Sequence, residues 1–207
     1  MIRFRHLLLV AGLTLATSVQ SQPVIDYDTM PDPVQSVEID LDGDGAPEIA
    51  SAYTLNDRYS VVTIRPPESG GDYDFDTAFI TPINLSDFDT LEVLQNGNLR
   101  VHWGCFACGR YHSSSSVIVD ARDGVLQVIG YDDSYADRIF AAVITCSVNL
   151  LTGAAIVEAI DVERRNLTTD ERSFALSELR DVSLPLVCRS AYERYDDDFM
   201  AKNYPEG

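Results

Sequence analysis

The chain has 207 residues, with 33 Asp and Glu against 15 Lys and Arg, and its formal net charge at pH 7 is −18. Phosphate backbones and anionic lipid headgroups repel a chain this acidic, which argues against nucleic acid and anionic membrane surfaces as partners. The charge suits the binding of cations or of a basic protein. It also suits a surface that only keeps the protein in solution.

Residues 1–21 have the pattern of a secretory signal. Arg3, Arg5 and His6 precede an apolar run over residues 7–16, which is too short to span a bilayer as a helix. Small residues then lead to a cleavage site before Gln22, and no later run reaches the length of a membrane span. We expect an exported bacterial protein, periplasmic or secreted, with no membrane span. Residues 22–207 are expected to form one domain.

An acidic loop is the most specific motif in the chain. It reads Asp40-Leu41-Asp42-Gly43-Asp44-Gly45-Ala46-Pro47-Glu48. Carboxylates at positions 1, 3, 5 and 9, with glycine at position 6 for the sharp turn, suit a hard cation that takes six to eight oxygen ligands. The sequence predicts calcium held by Asp40, Asp42, Asp44, the Ala46 carbonyl and Glu48. The alternative is a tight acidic turn without a metal, because Asp and Gly are common turn residues.

The residues on either side of this loop read as strands. A helical EF-hand needs Glu at position 12, where this chain has Ser51. At residues 36–55 the chain resembles the FG-GAP/VCBS-type calcium-loop β repeat. That resemblance implies a strand, a calcium loop and a second strand, with the same five ligands. The chain holds one clear copy, and its length is too small for a seven-bladed propeller.

Further along the chain, turn residues alternate with β-branched runs. Residues 117–119 and 125–131 predict one hairpin, residues 139–148 and 154–160 another, and strands are expected at 59–64 and 99–103. Helices are expected only within residues 169–180 and 190–202. The predicted fold is all-β: an antiparallel meander or sandwich with propeller-like hairpins, and one or two short helices near the C-terminus.

Two of these segments carry a second resemblance. Residues 124–133 read GVLQVIGYDD and residues 147–153 read SVNLLTG. Together with the acidic loop, they resemble a group of uncharacterised exported bacterial proteins with the same order of motifs. The resemblance implies the fold and the compartment, and it implies no activity.

Four cysteines in an exported protein favour disulfides. Of the three possible pairings, we favour Cys105 with Cys108 and Cys146 with Cys188. Two alternatives remain open for the first pair. One is zinc, for which His102 and His112 flank the cysteines, and the other is a redox C-x-x-C motif.

The segment around Cys105 and Cys108 is rich in residue types that are frequent at interface hot spots. Its candidate contacts are Trp103, Phe106, Arg110 and Tyr111. A disulfide-bonded loop loses less conformational entropy on binding than a free one. The sequence therefore predicts a surface for a protein partner here, unless the aromatic side chains belong to the core.

No catalytic motif stands out. The chain lacks G-x-S-x-G, H-E-x-x-H and a glycine-rich phosphate loop, and the serines at 113–116 read as a polar strand edge. We therefore expect no catalytic residues and predict an exported calcium-binding β-protein with a structural metal. It would act as a non-catalytic binding or inhibitor-like module. The alternatives are a cell-envelope hydrolase that uses an acidic pair such as Asp132 and Asp133, or one within residues 196–198, and a thiol oxidoreductase at Cys105 and Cys108.

Overall fold

The computed structural model describes residues 31–56, 59–65, 77–81, 90–139, 142–159, 162–179 and 185–203. The strands are β1 Gln35–Ile39, β2 Glu48–Asn56, β3 Tyr59–Arg65, β4 Thr77–Thr81, β5 Thr90–Val93, β6 Leu99–Cys108, β7 Tyr111–Arg122, β8 Val125–Asp137, β9 Ala142–Asn149, β10 Ala154–Ala159, β11 Val162–Thr168 and β12 Phe174–Ala175. A 3₁₀ turn at Leu176–Glu178 and the helix α1, Leu186–Asn203, follow. The predicted all-β class with a short C-terminal helix is confirmed. No helix in the described ranges is long and apolar enough to cross a membrane.

The strands form two antiparallel meanders. One sheet has the order β1-β2-β3-β4, and the other runs from β11 back to β5 in sequence order, with β12 paired to β8. Tight turns make this possible. Between β7 and β8, Asp123 and Gly124 have φ angles of 53° and 73°, which suits the twist of a short hairpin. Both predicted hairpins are therefore present, although β7 and β8 extend beyond the residues expected.

Buried apolar residues of both sheets and of α1 belong to one hydrophobic cluster. Two edge strands are also joined by a side chain. The Gln35 amide donates to the Leu91 carbonyl at 2.9 Å and accepts from the Leu91 N–H at 2.8 Å. These two bonds reproduce a backbone pairing between β1 of the first sheet and β5 of the second.

A β-bulge in β8 decides which residues face the core. Ile118 pairs with Gly130, but the next residue of β7 pairs with Val128, which leaves Ile129 as an extra residue. One extra residue moves every later side chain of the strand to the opposite face. A Cβ on Gly130 would lie 3.1 Å from Ile118 Cγ1. Any residue other than glycine at this position would therefore require the Ile118 side chain to shift. Asp133 is turned inward as a result.

Two local expectations from the sequence are wrong, and a third differs only in where the element begins. Most of residues 169–180 are not helical, because Phe174 pairs with Val128 as strand β12 and Leu176 is fully buried in the 3₁₀ turn. The helix predicted at 190–202 is present, but it begins earlier, at Leu186, where the N–H groups of Cys188 and Arg189 donate to the Pro185 carbonyl at 2.9 and 3.0 Å. The serines at 113–116 lie at no sheet edge, because β7 is paired on both sides by β6 and β8.

Candidate metal centre

The acidic loop connects β1 and β2, which pair in antiparallel register with Ile39 opposite Glu48. The predicted order of strand, loop and strand is therefore correct. Gly43 and Gly45 have φ angles of 76° and 87°, in the left-handed region that glycine adopts most easily. Gly45 thus occupies the sharp turn expected of it.

The aspartates of the loop bind its own backbone. Asp40 accepts hydrogen bonds from the N–H groups of Gly43 and Gly45 at 2.9 and 3.1 Å. Asp42 and Asp44 each accept one from the residue two positions later, at 3.0 and 2.7 Å. These bonds curl the loop around its first residue, as Asp side chains commonly do in turns.

Three of the predicted ligands come together. One carboxylate oxygen from each of Asp40, Asp42 and Glu48 lies within 4.8 Å of the other two. Two calcium ligands on opposite sides of the ion, each about 2.4 Å from it, are about 4.8 Å apart, so the three oxygens are close enough to contact one ion. Asp44 does not belong to this cluster, and the Ala46 carbonyl as a ligand stays a prediction.

Among the described residues, no basic side chain forms an ion pair with the carboxylates of the cluster. Glu48 is only 2% exposed, and its Oε2 accepts a hydrogen bond from the Leu41 N–H at 2.8 Å. Burial raises the pKa of Glu48, repulsion by Asp42 and Asp40 raises it further, and backbone N–H groups lower it. Asp42 Oδ2 is buried with no hydrogen-bond partner in the described part of the chain. An oxygen-seeking divalent cation fits this donor set, because it would pair with Asp42 Oδ2 and neutralise Glu48.

The cysteines differ in what the structure shows. Cys146 on β9 and Cys188 on α1 form a disulfide with Cα atoms 5.7 Å apart, which confirms that pairing. Cys105 is also disulfide-bonded. The side chain of Cys108 lies outside the described residues, so the pairing of Cys105 with Cys108 stays a prediction.

The zinc alternative loses a ligand, because a disulfide sulfur does not offer the thiolate that zinc requires. The histidines have other surroundings. His102 Nε2 lies 2.6 Å from Ser114 Oγ, within hydrogen-bond distance. His102, His112 and Ser114 line a cavity of about 150 Å³ beside β6 and β7.

The predicted partner surface is only partly exposed. Trp103 is 3% exposed and belongs to the hydrophobic core, so its assignment to a surface is wrong. Side chains alternate between the two faces of a strand, and the ring of Trp103 lies on the inward face of β6. Arg110 and Tyr111 are exposed, while the side chain of Phe106 lies outside the described residues. Arg110 forms an ion pair with Asp137 and lies 5.1 Å over the Tyr111 ring.

A buried carboxylate that the sequence did not reveal lies between the large sheet and α1. Asp133, 8% exposed, accepts hydrogen bonds from Ser115 and from the Tyr192 hydroxyl, the latter at 2.6 Å. Burial raises the pKa of Asp133, and the hydroxyls of Ser115, Tyr192 and Tyr131 lower it in part. The sequence shows only that Asp132 and Asp133 are adjacent. It does not show which of them faces inward, because the bulge at Ile129 determines that.

No family model, no curated protein and no solved structure matches the chain. The functional assignment therefore depends on the geometry of the acidic loop and on the side chains around it. The similarity of residues 36–55 to the FG-GAP/VCBS-type repeat stays a prediction.

Proposed function

We propose that this chain is an exported calcium-binding β-protein in which the cation is structural. The observation that supports it most is a cluster of three carboxylates in which Glu48 is buried and the buried Asp42 Oδ2 has no hydrogen-bond partner among the described residues. A fold that gathers like charges in a partly dry site loses stability unless a cation offsets their repulsion.

Calcium at this loop would stabilise the core as well as the loop. Leu41 lies inside the loop but is 6% exposed and belongs to the hydrophobic cluster. Its N–H donates to Glu48, so the carboxylate that binds the cation also positions Leu41. Holding the loop in shape therefore keeps an apolar side chain in the core and fixes the register of β1 against β2.

For the role of the whole protein we propose a non-catalytic binding module, periplasmic or secreted, that recognises a protein partner. The Cys146–Cys188 disulfide is of the kind that persists in oxidising compartments. Arg110 and Tyr111 offer an exposed, pre-ordered pair, because Arg110 is held by Asp137 and Tyr111 stacks on Tyr135 with ring centroids 5.0 Å apart. Such ordered aromatic and arginine groups suit contact with another protein.

The enzymatic alternatives gain little support from the geometry. Asp132 and Asp133 are consecutive in β8 and point to opposite faces of the sheet, so they cannot flank one glycosidic bond together. Cys105 lies within β6 and is followed by strand β7, whereas an activated C-x-x-C thiol opens a helix.

Equilibrium dialysis against calcium tests the metal. We expect the chain from Gln22 to the C-terminus to bind one calcium per molecule, with a dissociation constant of about 0.1–1 mM, as in extracellular modules. Asp42→Asn and Glu48→Gln should each weaken binding at least about tenfold, since each removes a charged ligand.

The matched control for dialysis is Asp123→Asn, in the turn between β7 and β8. It removes the same charge at a position with a φ of 53°, which Asn tolerates well. Equal calcium binding by the parent chain, Asp42→Asn and Glu48→Gln would show that the cluster is only an acidic turn.

Affinity capture from the envelope fraction of the source organism tests the partner surface. We expect a protein that the parent chain retains and that Arg110→Ala and Tyr111→Ala lose, because both side chains belong to the proposed contact. The control is Leu151→Ala, since Leu151 is as exposed as Tyr111, at 39% against 38%, and lies in the turn between β9 and β10. Identical capture by all the variants would refute this surface.

A further inference from the structure

A cleft separates α1 from the end of the large sheet. It has a volume of about 200 Å³ and lies between α1 and the strands β9, β10 and β11. Its apolar lining comes from both sides: Ile144 and Val157 from the sheet and Val187 from α1, among others. The Cys146–Cys188 disulfide connects β9 to α1, which keeps the helix next to the sheet and the cleft formed.

Two arginines share this apolar cleft. Arg165 projects from β11 opposite Val157, and Arg194 projects from α1. Neither forms an ion pair with any acidic group that the structure describes, although the chain carries 33 acidic residues. Both arginines therefore line the cleft beside apolar side chains, in a position to contact an anion that enters it.

The neighbouring residue shows that this arrangement is particular to one face of β11. Arg164 points to the other face and forms an ion pair with Glu158 at 3.2 Å. Arg165 instead follows the side of the strand that carries Leu167, which also lines the cleft. The two consecutive arginines thus have different surroundings: Arg164 forms an ion pair with Glu158 of β10, and Arg165 faces the cleft.

From these contacts we infer that the cleft binds a small amphiphilic carboxylate, with its head at Arg165 and Arg194 and its apolar tail between α1 and the sheet. A guanidinium presents a planar fork of N–H donors that matches a carboxylate, which favours this head group over a neutral one. The apolar lining removes the tail from water.

The size of the cleft limits the tail. An apolar cavity of about 150 Å³ accommodates benzene, so a cleft of about 200 Å³ suits a tail of roughly six to eight carbon atoms. It is smaller than the pockets of about 300–1,000 Å³ that take drug-sized ligands. Octanoate is therefore the probe of choice, and the site is distinct from the acidic loop.

Calorimetric titration of the disulfide-bonded chain with octanoate, at constant calcium, tests the inference. We expect one saturable site that Arg165→Gln and Arg194→Gln each weaken about tenfold, because each removes a charge-assisted hydrogen bond. Arg164→Gln is the matched control, since it removes the same charge one residue away on the other face. It should leave octanoate binding unchanged.

Probes and a filling variant separate head from tail. Octanol lacks the carboxylate and butyrate lacks most of the tail, so both should bind at least about tenfold more weakly than octanoate. Ala191→Leu, on the cleft side of α1, should block binding without loss of either arginine. No saturable binding of octanoate, or equal binding by Arg165→Gln and Arg164→Gln, would overturn the inference. Asp42→Asn should keep octanoate binding, so this proposal and the calcium proposal fail independently.

Discussion

Two buried carboxylates, Glu48 and Asp133, are accommodated by this chain in different ways. Glu48 has backbone donors but also two acidic neighbours, Asp40 and Asp42, and a bound cation would reduce the repulsion among the three carboxylates. Asp133 has no such neighbours among the causes of its pKa shift and is surrounded by hydroxyl donors. The first arrangement suits metal binding, and the second suits a hydrogen-bonded link between the sheet and α1.

Asp133 makes stability depend on pH in a defined direction. Burial raises the folded-state pKa of Asp133 above the ordinary value of 3.8, so ionisation of this carboxyl destabilises the folded state relative to the unfolded state. Below the unfolded pKa this cost is absent, and stability is lost as pH rises through the folded pKa. The pKa values of Tyr131 and Tyr192 are also raised by burial, so both phenols stay neutral over this range.

Urea unfolding of the parent chain and of Asp133→Asn, from about pH 4 to about pH 7.5, measures this effect. We expect the stability of the parent to fall relative to the variant as pH rises, since Asn at this position carries no charge. Calcium is removed from both samples by dialysis beforehand, and the other acidic groups cancel in the difference. A difference that stays constant with pH would show that Asp133 does not ionise in this range or that its burial has no cost.

The clustering of three loop carboxylates could be predicted from their spacing, while their role as metal ligands stays a prediction. Asp40, Asp42 and Glu48 come together as alternation in a short loop requires. Asp44 is not in this cluster, although Asp42 and Asp44 accept the same kind of backbone hydrogen bond, and spacing does not reveal this difference. Asp133 was not predicted because its direction depends on a bulge, and a bulge depends on pairing with β7.

The hairpin of β9 and β10 depends on a glycine. Gly153 has a φ of 74°, and a Cβ there would lie 2.5 Å from the Thr169 carbonyl oxygen. Thr169 in turn donates its N–H to the Gly153 carbonyl at 2.8 Å. The chain after β11 therefore passes directly over this turn, and any side chain at residue 153 would push it away.

Gly153→Ala should destabilise the protein by about 3 kcal/mol, through a left-handed backbone angle and a steric clash together. Gly97→Ala is the control, since Gly97 has a φ of 85° but open space around the added Cβ. It should cost about 1 kcal/mol from backbone strain alone. Urea unfolding measures both changes, and equal losses for the two variants would mean that the contact with Thr169 has no energetic weight.

Strand patterns were predictable because turn residues separate β-branched runs along much of this chain. The two hairpins follow from residues 120–124 and 149–153 without knowledge of the fold. Residues 169–180 were not predictable, because their alternation with polar residues also fits a helix. Pairing of Phe174 with Val128 and burial of Leu176 decide against it, and both are tertiary contacts.

The two meanders share one hydrophobic core, and the acidic loop contributes a residue to it. Leu41 and Ile39 contribute to the core from the loop and from the end of β1, and Gln35 joins β1 to β5. The charge of −18 opposes compaction through self-repulsion, and a bound divalent cation would reduce it where carboxylates are closest. Calcium at one loop should therefore stabilise the folded protein as a unit.

The melting temperature of the chain from Gln22 onward, with and without calcium, tests this account most directly. A ligand that binds only the folded state stabilises it by mass action, and about 5 mM calcium should raise the melting temperature by roughly 2–8 °C. Asp42→Asn should abolish the increase, and Asp123→Asn should keep it. An unchanged melting curve of the parent chain at this calcium concentration, or an equal increase in Asp42→Asn, would contradict the account.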